Sequence, residues 1–284
     1  MFLRRFFSFL IIWALIIGMV VFKLSQLTFV VVAVLGFLAQ WEFYQMQKRK
    51  GLHVFTKLGI GAGGFYFILL YVQIFHADLD ANQVSALEII LCIFIILGSL
   101  TSQIFEKKRA TPVVSIALTL LGFFYVPYLF SFVERILFWS GKEMEGVYLV
   151  LYLVAVTKFT DVGAYVAGKT LGRHKMMPTI SPKKTWEGFA GGLIVALMFS
   201  LGLIYLLPDS LSPLEGIHAW ILGLLIPLTS VVGDLAESVI KRDAKSKDSG
   251  GMIPGIGGAL DLIDSLLFTA PLFFSYLILF VKEV

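Results

Sequence analysis

Apolar residues run along this chain in stretches of about 20, the length a helix needs to cross the hydrocarbon core of a bilayer. Gly, Pro and charge clusters mark where each stretch stops. The pattern predicts about nine spans, near residues 6–22, 24–46, 56–75, 84–105, 112–139, 145–168, 187–207, 216–240 and 258–281. The first stretch follows Arg4 and Arg5 as a signal peptide would, but it is long and has no A-x-A-like cleavage site, so it reads as a span. The fold class expected is all-α, a polytopic integral membrane protein.

The totals agree. The 284 residues are 58% hydrophobic and only 15% charged, with a mean hydropathy of +0.89, which excludes an ordinary soluble domain. Lys plus Arg number 23 against 19 Asp plus Glu, and this excess is unevenly placed. Arg4 and Arg5, Lys48 to Lys50, Lys107 to Arg109, Lys169 to Lys184 and Lys241 to Lys247 fall on alternate loops, while the intervening loops carry acids such as Asp78, Asp80, Asp209 and Glu215. Loops rich in Lys and Arg stay cytoplasmic, so the N-terminus is expected inside and the C-terminus outside. Cys92, the single cysteine, permits no intrachain disulfide, and the four histidines show no metal-ligand spacing.

Polar residues divide the chain. Residues 1–143 read as a transmembrane scaffold of about five spans, in which Glu42 and Glu88 stand as isolated acids near interfaces. Residues 144–284 read as the region that carries the site, about four spans with two basic cytoplasmic loops. Lys158, Asp161, Glu187, Asp234, Glu237, Asp261 and Asp264 all lie there, toward one face of the membrane. An acid at membrane depth costs roughly 2.5–3.5 kcal/mol on insertion scales, so such residues are expected to have partners and a purpose.

Gly163-Ala-Tyr-Val-Ala-Gly168-Lys169-Thr170 matches the P-loop pattern but ends a lipid-length apolar run, without the strand, turn and helix that a P-loop requires. That reading is rejected. The first basic loop instead offers Ser181, Lys183, Lys184 and Thr185, hydroxyls and ammonium groups suited to phosphate oxygens, between Asp161 and Glu187. The second offers Lys241, Arg242, Lys245 and Lys247, with glycines at 250, 251, 255, 257 and 258 that let backbone approach a ligand. Asp234 and Glu237 precede it, and Asp261 and Asp264 follow it at the same spacing of three, which places each pair on one helix face. Carboxylates can hold a hard divalent cation that also takes phosphate oxygens. Together the loops point to a nucleoside triphosphate site at the membrane surface, with the nucleotide unspecified.

The string Ser238-Val-Ile-Lys241-Arg242-x4-Lys247-Asp248-x-Gly250-x2-Ile253-Pro254-Gly255-Ile256-Gly257-Gly258-x2-Asp261-x2-Asp264 resembles the signature of phosphatidate cytidylyltransferases, also called CDP-diacylglycerol synthases. Asp161-x-x-Ala-Tyr165 and Ser181-Pro-Lys-Lys-Thr-x-Glu-Gly188 are similar to that family too. The chain departs from the pattern at Ala259, Ile256 and Leu262, where the family usually has a larger aliphatic residue, His and Arg.

The resemblance implies transfer of the cytidylyl group of CTP to phosphatidate, with Mg²⁺, alone or with a second cation, as cofactor. It implies Asp234, Asp261 and Asp264 as metal ligands. Lys184, Lys241, Arg242, Lys247 and Asp248 would serve catalysis, and Asp161, Ser181, Lys183, Lys184, Thr185, Glu187, Lys241 and Arg242 would bind substrate. The implied partners are CTP and phosphatidate in the membrane, not nucleic acid, with a homodimer allowed. The implied location is the cell membrane, with the site on its cytoplasmic side. The rival readings are another CTP-dependent lipid enzyme, such as a kinase, and an ion-coupled transporter, for which intramembrane acids are also expected.

Overall fold

A computed structural model describes residues 25–76, 81–106, 111–139, 143–246, 248–251 and 257–281. The span expected at 6–22 lies outside these residues, as does Lys247. The helices are α1 (Ser25–Arg49), α2 (Thr56–Phe75), α3 (Ala81–Phe105), α4 (Pro112–Phe123), α5 (Leu129–Leu137), α6 (Glu143–Thr170), α7 (Trp186–Leu206), α8 (Ile217–Asp243), α9 (Ala259–Ile263) and α10 (Leu266–Phe280). A π-helical turn, Phe124–Tyr128, joins α4 to α5. Counted as continuous segments, eight are long and apolar enough to cross a membrane among the described residues.

Two of the segments are less regular than an apolar run suggests. Pro127 lies in the π turn, where its missing N–H breaks the helical ladder and a wider turn absorbs the shift. The last segment is interrupted between Ile263 and Leu266. There the Asp264 carboxylate accepts a hydrogen bond from Ser265 N–H, competing with the helical ladder for that donor. One short antiparallel hairpin, β1 (Lys175–Met177) with β2 (Ser181–Thr185), stands outside the helical pattern, pairing Lys175 with Thr185 and Met177 with Ser181.

The chain forms two units, each discontinuous in sequence. One takes the residues up to Ser131 together with Asp243–Ile263, and the other takes Phe132–Arg242 and the residues from Asp264. In the first unit, α1 buries polar residues among apolar ones such as Phe29, Phe43 and Met46, and turns a further apolar face outward. Its apolar residues Val30, Val34, Phe37 and Trp41 are exposed, whereas Gln40, Glu42 and Gln47 are buried. Lipid accepts the first set, and polar side chains shielded from it must find partners within the fold. Gln40 Nε2 donates to Gly59 O at 2.9 Å, and the Tyr44 hydroxyl donates to Thr119 O at 2.8 Å. Gly59 and Gly122 flank the Tyr44 ring, which occupies the space a Cβ would need at either position.

In the second unit, α6 and α7 pack through small residues. Any Cβ on Gly163 would meet Val195 and Gly191 O, and one on Gly192 would meet Thr160 O and the Ala164 methyl. The supposed phosphate loop, Gly163 to Thr170, is the last part of α6 and is helical throughout. Its glycines serve helix contact.

Replacing Gly163 with Val is expected to force α6 and α7 apart and to destabilise the protein by about 1–3 kcal/mol, the usual range for overpacking. The measurement is thermal unfolding of the detergent-solubilised variant. An unchanged midpoint would contradict the packing described.

Candidate active site

Helix α8 supplies one stripe of polar residues at intervals of three and four: Asp234, Glu237, Ser238 and Lys241. Glu237 is completely buried and forms an ion pair with Lys241 one turn on. Ser238 Oγ donates toward Asp234 Oδ1 at 3.4 Å. Asp264 joins the stripe from the interruption before α10, where it is 8% exposed. Gly233 makes this approach possible, because a Cβ there would lie 3.0 Å from Asp264 O and 3.2 Å from Ser265 Cα. One carboxylate oxygen from each of Asp234, Glu237 and Asp264 falls within 4.8 Å of the others.

The hairpin brings a cation to this cluster. Successive residues of a strand face opposite ways, and along β2 Lys183 is exposed whereas Lys184 is half-buried. Lys184 Nζ lies 2.8 Å from Asp234 Oδ2, and also 3.5 Å from Val231 O. Arg242, at the end of α8, donates through Nε to Ile180 O at 3.3 Å, so the hairpin turn is tied to the helix that carries the acids. Asp161 on α6 interacts with the charges of Lys158, Lys184, Asp234 and Asp264. Four carboxylates therefore share the neighbourhood with three ammonium groups, those of Lys158, Lys184 and Lys241.

A cation fits this donor set. Three hard oxygen donors from two backbone segments, two of them buried, match the carboxylate and water environment that Mg²⁺ uses. The surplus of negative charge in a region shielded from water is what a divalent ion would offset. Lys158 is the residue to which sequence reasoning assigned no role in the site, and Glu237, read there only as an acid flanking the second loop, joins the candidate donor set. The signals for both were present, in the three-residue spacing of Asp234 and Glu237 and in a lysine well inside an apolar run.

Other expected site residues have local tasks. Thr185 is buried and caps α7, its Oγ1 accepting from Gly188 N–H at 3.1 Å. Glu187 accepts from the backbone N–H groups of Arg173 and His174 at 3.1 and 3.2 Å, and its Oε1 lies 2.6 Å from His174 Nδ1. Both residues thus fix the base of the hairpin that presents Ser181, Lys183 and Lys184. Asp248 is exposed, and its carbonyl accepts from Ser246 Oγ at 2.6 Å. Asp261 belongs to the first unit, where its carboxylate accepts from Gly258 N–H at 2.7 Å and from Ser249 N–H at 3.0 Å.

The cytidylyltransferase family pattern matches residues 3–280 of this chain. The phosphatidate cytidylyltransferase of Bacillus subtilis (strain 168) is 34% identical over 251 residues, which is 88% of this chain and 88% of that protein. The phosphatidate cytidylyltransferase of Haemophilus influenzae is 32% identical over 265 residues, with the same shares of each chain. An uncharacterized protein of Escherichia coli K12, YnbB, is 46% identical over 132 residues, a stretch that makes up 46% of this chain and 43% of that relative. With agreement extending over nearly its whole length, this chain belongs to the cytidylyltransferase family.

Proposed function

We propose that the protein transfers the cytidylyl group of CTP to phosphatidate, giving CDP-diacylglycerol and pyrophosphate at the cytoplasmic face of the cell membrane. The observation that carries this reading is the set Asp234, Glu237 and Asp264, the last two buried, with Lys184 and Lys241 paired to two of its members. A carrier needs acids that gain and lose an ion, whereas reaction between two phosphate-bearing substrates needs acids and cations held side by side.

A phosphate oxygen of phosphatidate attacks the α-phosphorus of CTP. The new P–O bond forms in line with the α–β bridge, which breaks to release pyrophosphate. The attacking group is already an anion, so alignment and charge neutralisation matter more than a general base. Asp234, Glu237 and Asp264 would hold Mg²⁺, which when bound would supply positive charge to the phosphate oxygens. Lys184 orients Asp234 and, with Ser181 and Lys183, receives phosphate. Lys241 and Arg242, with Lys247 of the following loop, receive the triphosphate and neutralise the departing pyrophosphate. Asp161, Thr185, Glu187 and Asp248 orient these groups, and Asp261 serves the reaction through the loop it orders. In this reading residues 144–284 carry the chemistry, supported by the spans of residues 1–143.

Purified protein incubated with α-labelled CTP, phosphatidate and Mg²⁺ is expected to release pyrophosphate and to label the lipid with cytidine. Release of CDP with a newly phosphorylated lipid would identify a kinase instead, and binding without turnover would identify a carrier.

The three acids differ in their expected effects. Asp234→Asn and Asp264→Asn should lower kcat by about 100-fold or more, the scale of losing one preorganised charged group at a reacting centre. Glu237→Gln should raise the Mg²⁺ concentration for half-maximal rate by roughly 10–100-fold, as altered metal-supporting groups do. Initial rates across a Mg²⁺ titration measure both quantities. Wild-type metal dependence in all three variants would remove the assignment.

A further inference from the structure

Glu42, on α1, is the buried acid of α1–α4 among the described residues, and the proposed chemistry does not use it. It is 1% exposed, yet its contacts lie about 200 residues away in the chain, on Ser249 and on Leu260 in the first turn of α9. Glu42 Oε2 accepts from Leu260 N–H at 3.0 Å and lies 3.2 Å from Ser249 Oγ. Ser249 Oγ is also 2.9 Å from Asp261 Oδ2 and accepts from Asp261 N–H at 3.3 Å. A hydroxyl has one proton to donate, so Ser249 serves one carboxylate at a time. The N–H groups of Leu260, Gly258 and Ser249 hold the two carboxylates in place meanwhile.

The loop glycines supply an independent observation. A Cβ on Gly250 or on Gly258 would fall on the Glu42 carboxylate. Backbone therefore approaches this acid from both sides of the loop, at positions where any larger residue would push it away. The contacts join Ser249 and Gly250, at one side of the glycine-rich stretch, to Gly258 and Leu260 at the other.

We infer that Glu42 is a positioning residue, a latch that ties Ser249 and Gly250, after α8, to Gly258 and Leu260, at the start of α9, and thereby holds the neighbouring Lys245 and Asp248 where they receive the CTP triphosphate. Glu42 touches no substrate, and its effect passes through Ser249, Gly250 and Gly258. A helix from the half of the chain that reads as scaffold thereby sets the reactive loop. The inference rests on the loop's proposed role in binding CTP.

Two readouts on full-length protein in detergent test it, and one of them does not require activity. Trypsin cleavage at Lys241, Arg242, Lys245 and Lys247, mapped by mass spectrometry, is expected to be several-fold faster in Glu42→Gln and in Ser249→Ala, with no change in the melting midpoint. The specificity constant for CTP should fall by about 10–100-fold, chiefly through KM, as for other groups that orient the reacting residues. Gly250→Ala should have the same effect in the wild-type background and add little in the Glu42→Ala background, since the two changes relieve each other. Wild-type cleavage rates and CTP KM in Glu42→Gln and Ser249→Ala would overturn the latch. A lowered melting midpoint with an unchanged CTP KM would overturn it too, leaving Glu42 a packing residue. If wild-type protein shows no cytidylyl transfer, the proposed activity fails and the cleavage rates still decide the latch.

Discussion

Carboxylates placed within membrane-length helices must be balanced where they stand, and this requirement governs the second unit. Moving an acid to membrane depth is costly, and bringing three together adds mutual repulsion. Several local features answer that cost. Gly233 lets the backbone of Asp264 approach α8, the chain turns at Asp264 instead of continuing as helix, and the hairpin returns so that Lys184 reaches Asp234. None of these is favourable by itself. Each becomes intelligible when the charges at the end of α8 are taken as fixed and the surroundings as the response.

The spans were legible because lipid exposure is a local property of sequence. A run such as Pro112–Leu137 must be membrane-length and apolar whatever it packs against, and the expected 56–75 and 112–139 segments correspond to α2 and to α4 through α5 with small differences at their ends. The interruptions were not legible in the same way. Pro127 announces a disturbed ladder, but choosing a π turn over a kink depends on neighbouring contacts. At Asp264 the helix ends because a side chain captures the next N–H, an outcome that an apolar run with one acid in it leaves undecided.

Site residues were legible in kind more than in task. The short string Ser181-Pro-Lys-Lys-Thr suggests one surface for phosphate, yet strand alternation sends Lys183 outward and Lys184 toward Asp234. Thr185 carries two signals at once, since a threonine just before an apolar run is also an N-cap signature, and in the structure its Oγ1 caps α7. Glu42 was the hardest to read. On sequence it is one acid near the end of a span, and its meaning lies in Ser249, Gly250 and Gly258, which periodicity along α1 cannot indicate.

The buried polar groups of α1 suggest why the N-terminal half is more than an inert anchor. In water, burying Gln40, Glu42 and Gln47 while exposing Val30, Val34 and Phe37 would oppose folding. In lipid both choices become favourable, because no water competes for the buried polar groups and the outward face meets hydrocarbon. The buried side of α1 therefore mixes Phe29, Phe43 and Met46 with polar groups, and the hydrogen bonds of the polar ones are directional where van der Waals packing is not. Gln40 uses that property to fix α2 through Gly59 O, and Glu42 uses it to fix a loop more than 200 residues later. Apolar packing of equal area would hold the helices together without fixing where Ser249 and Leu260 stand.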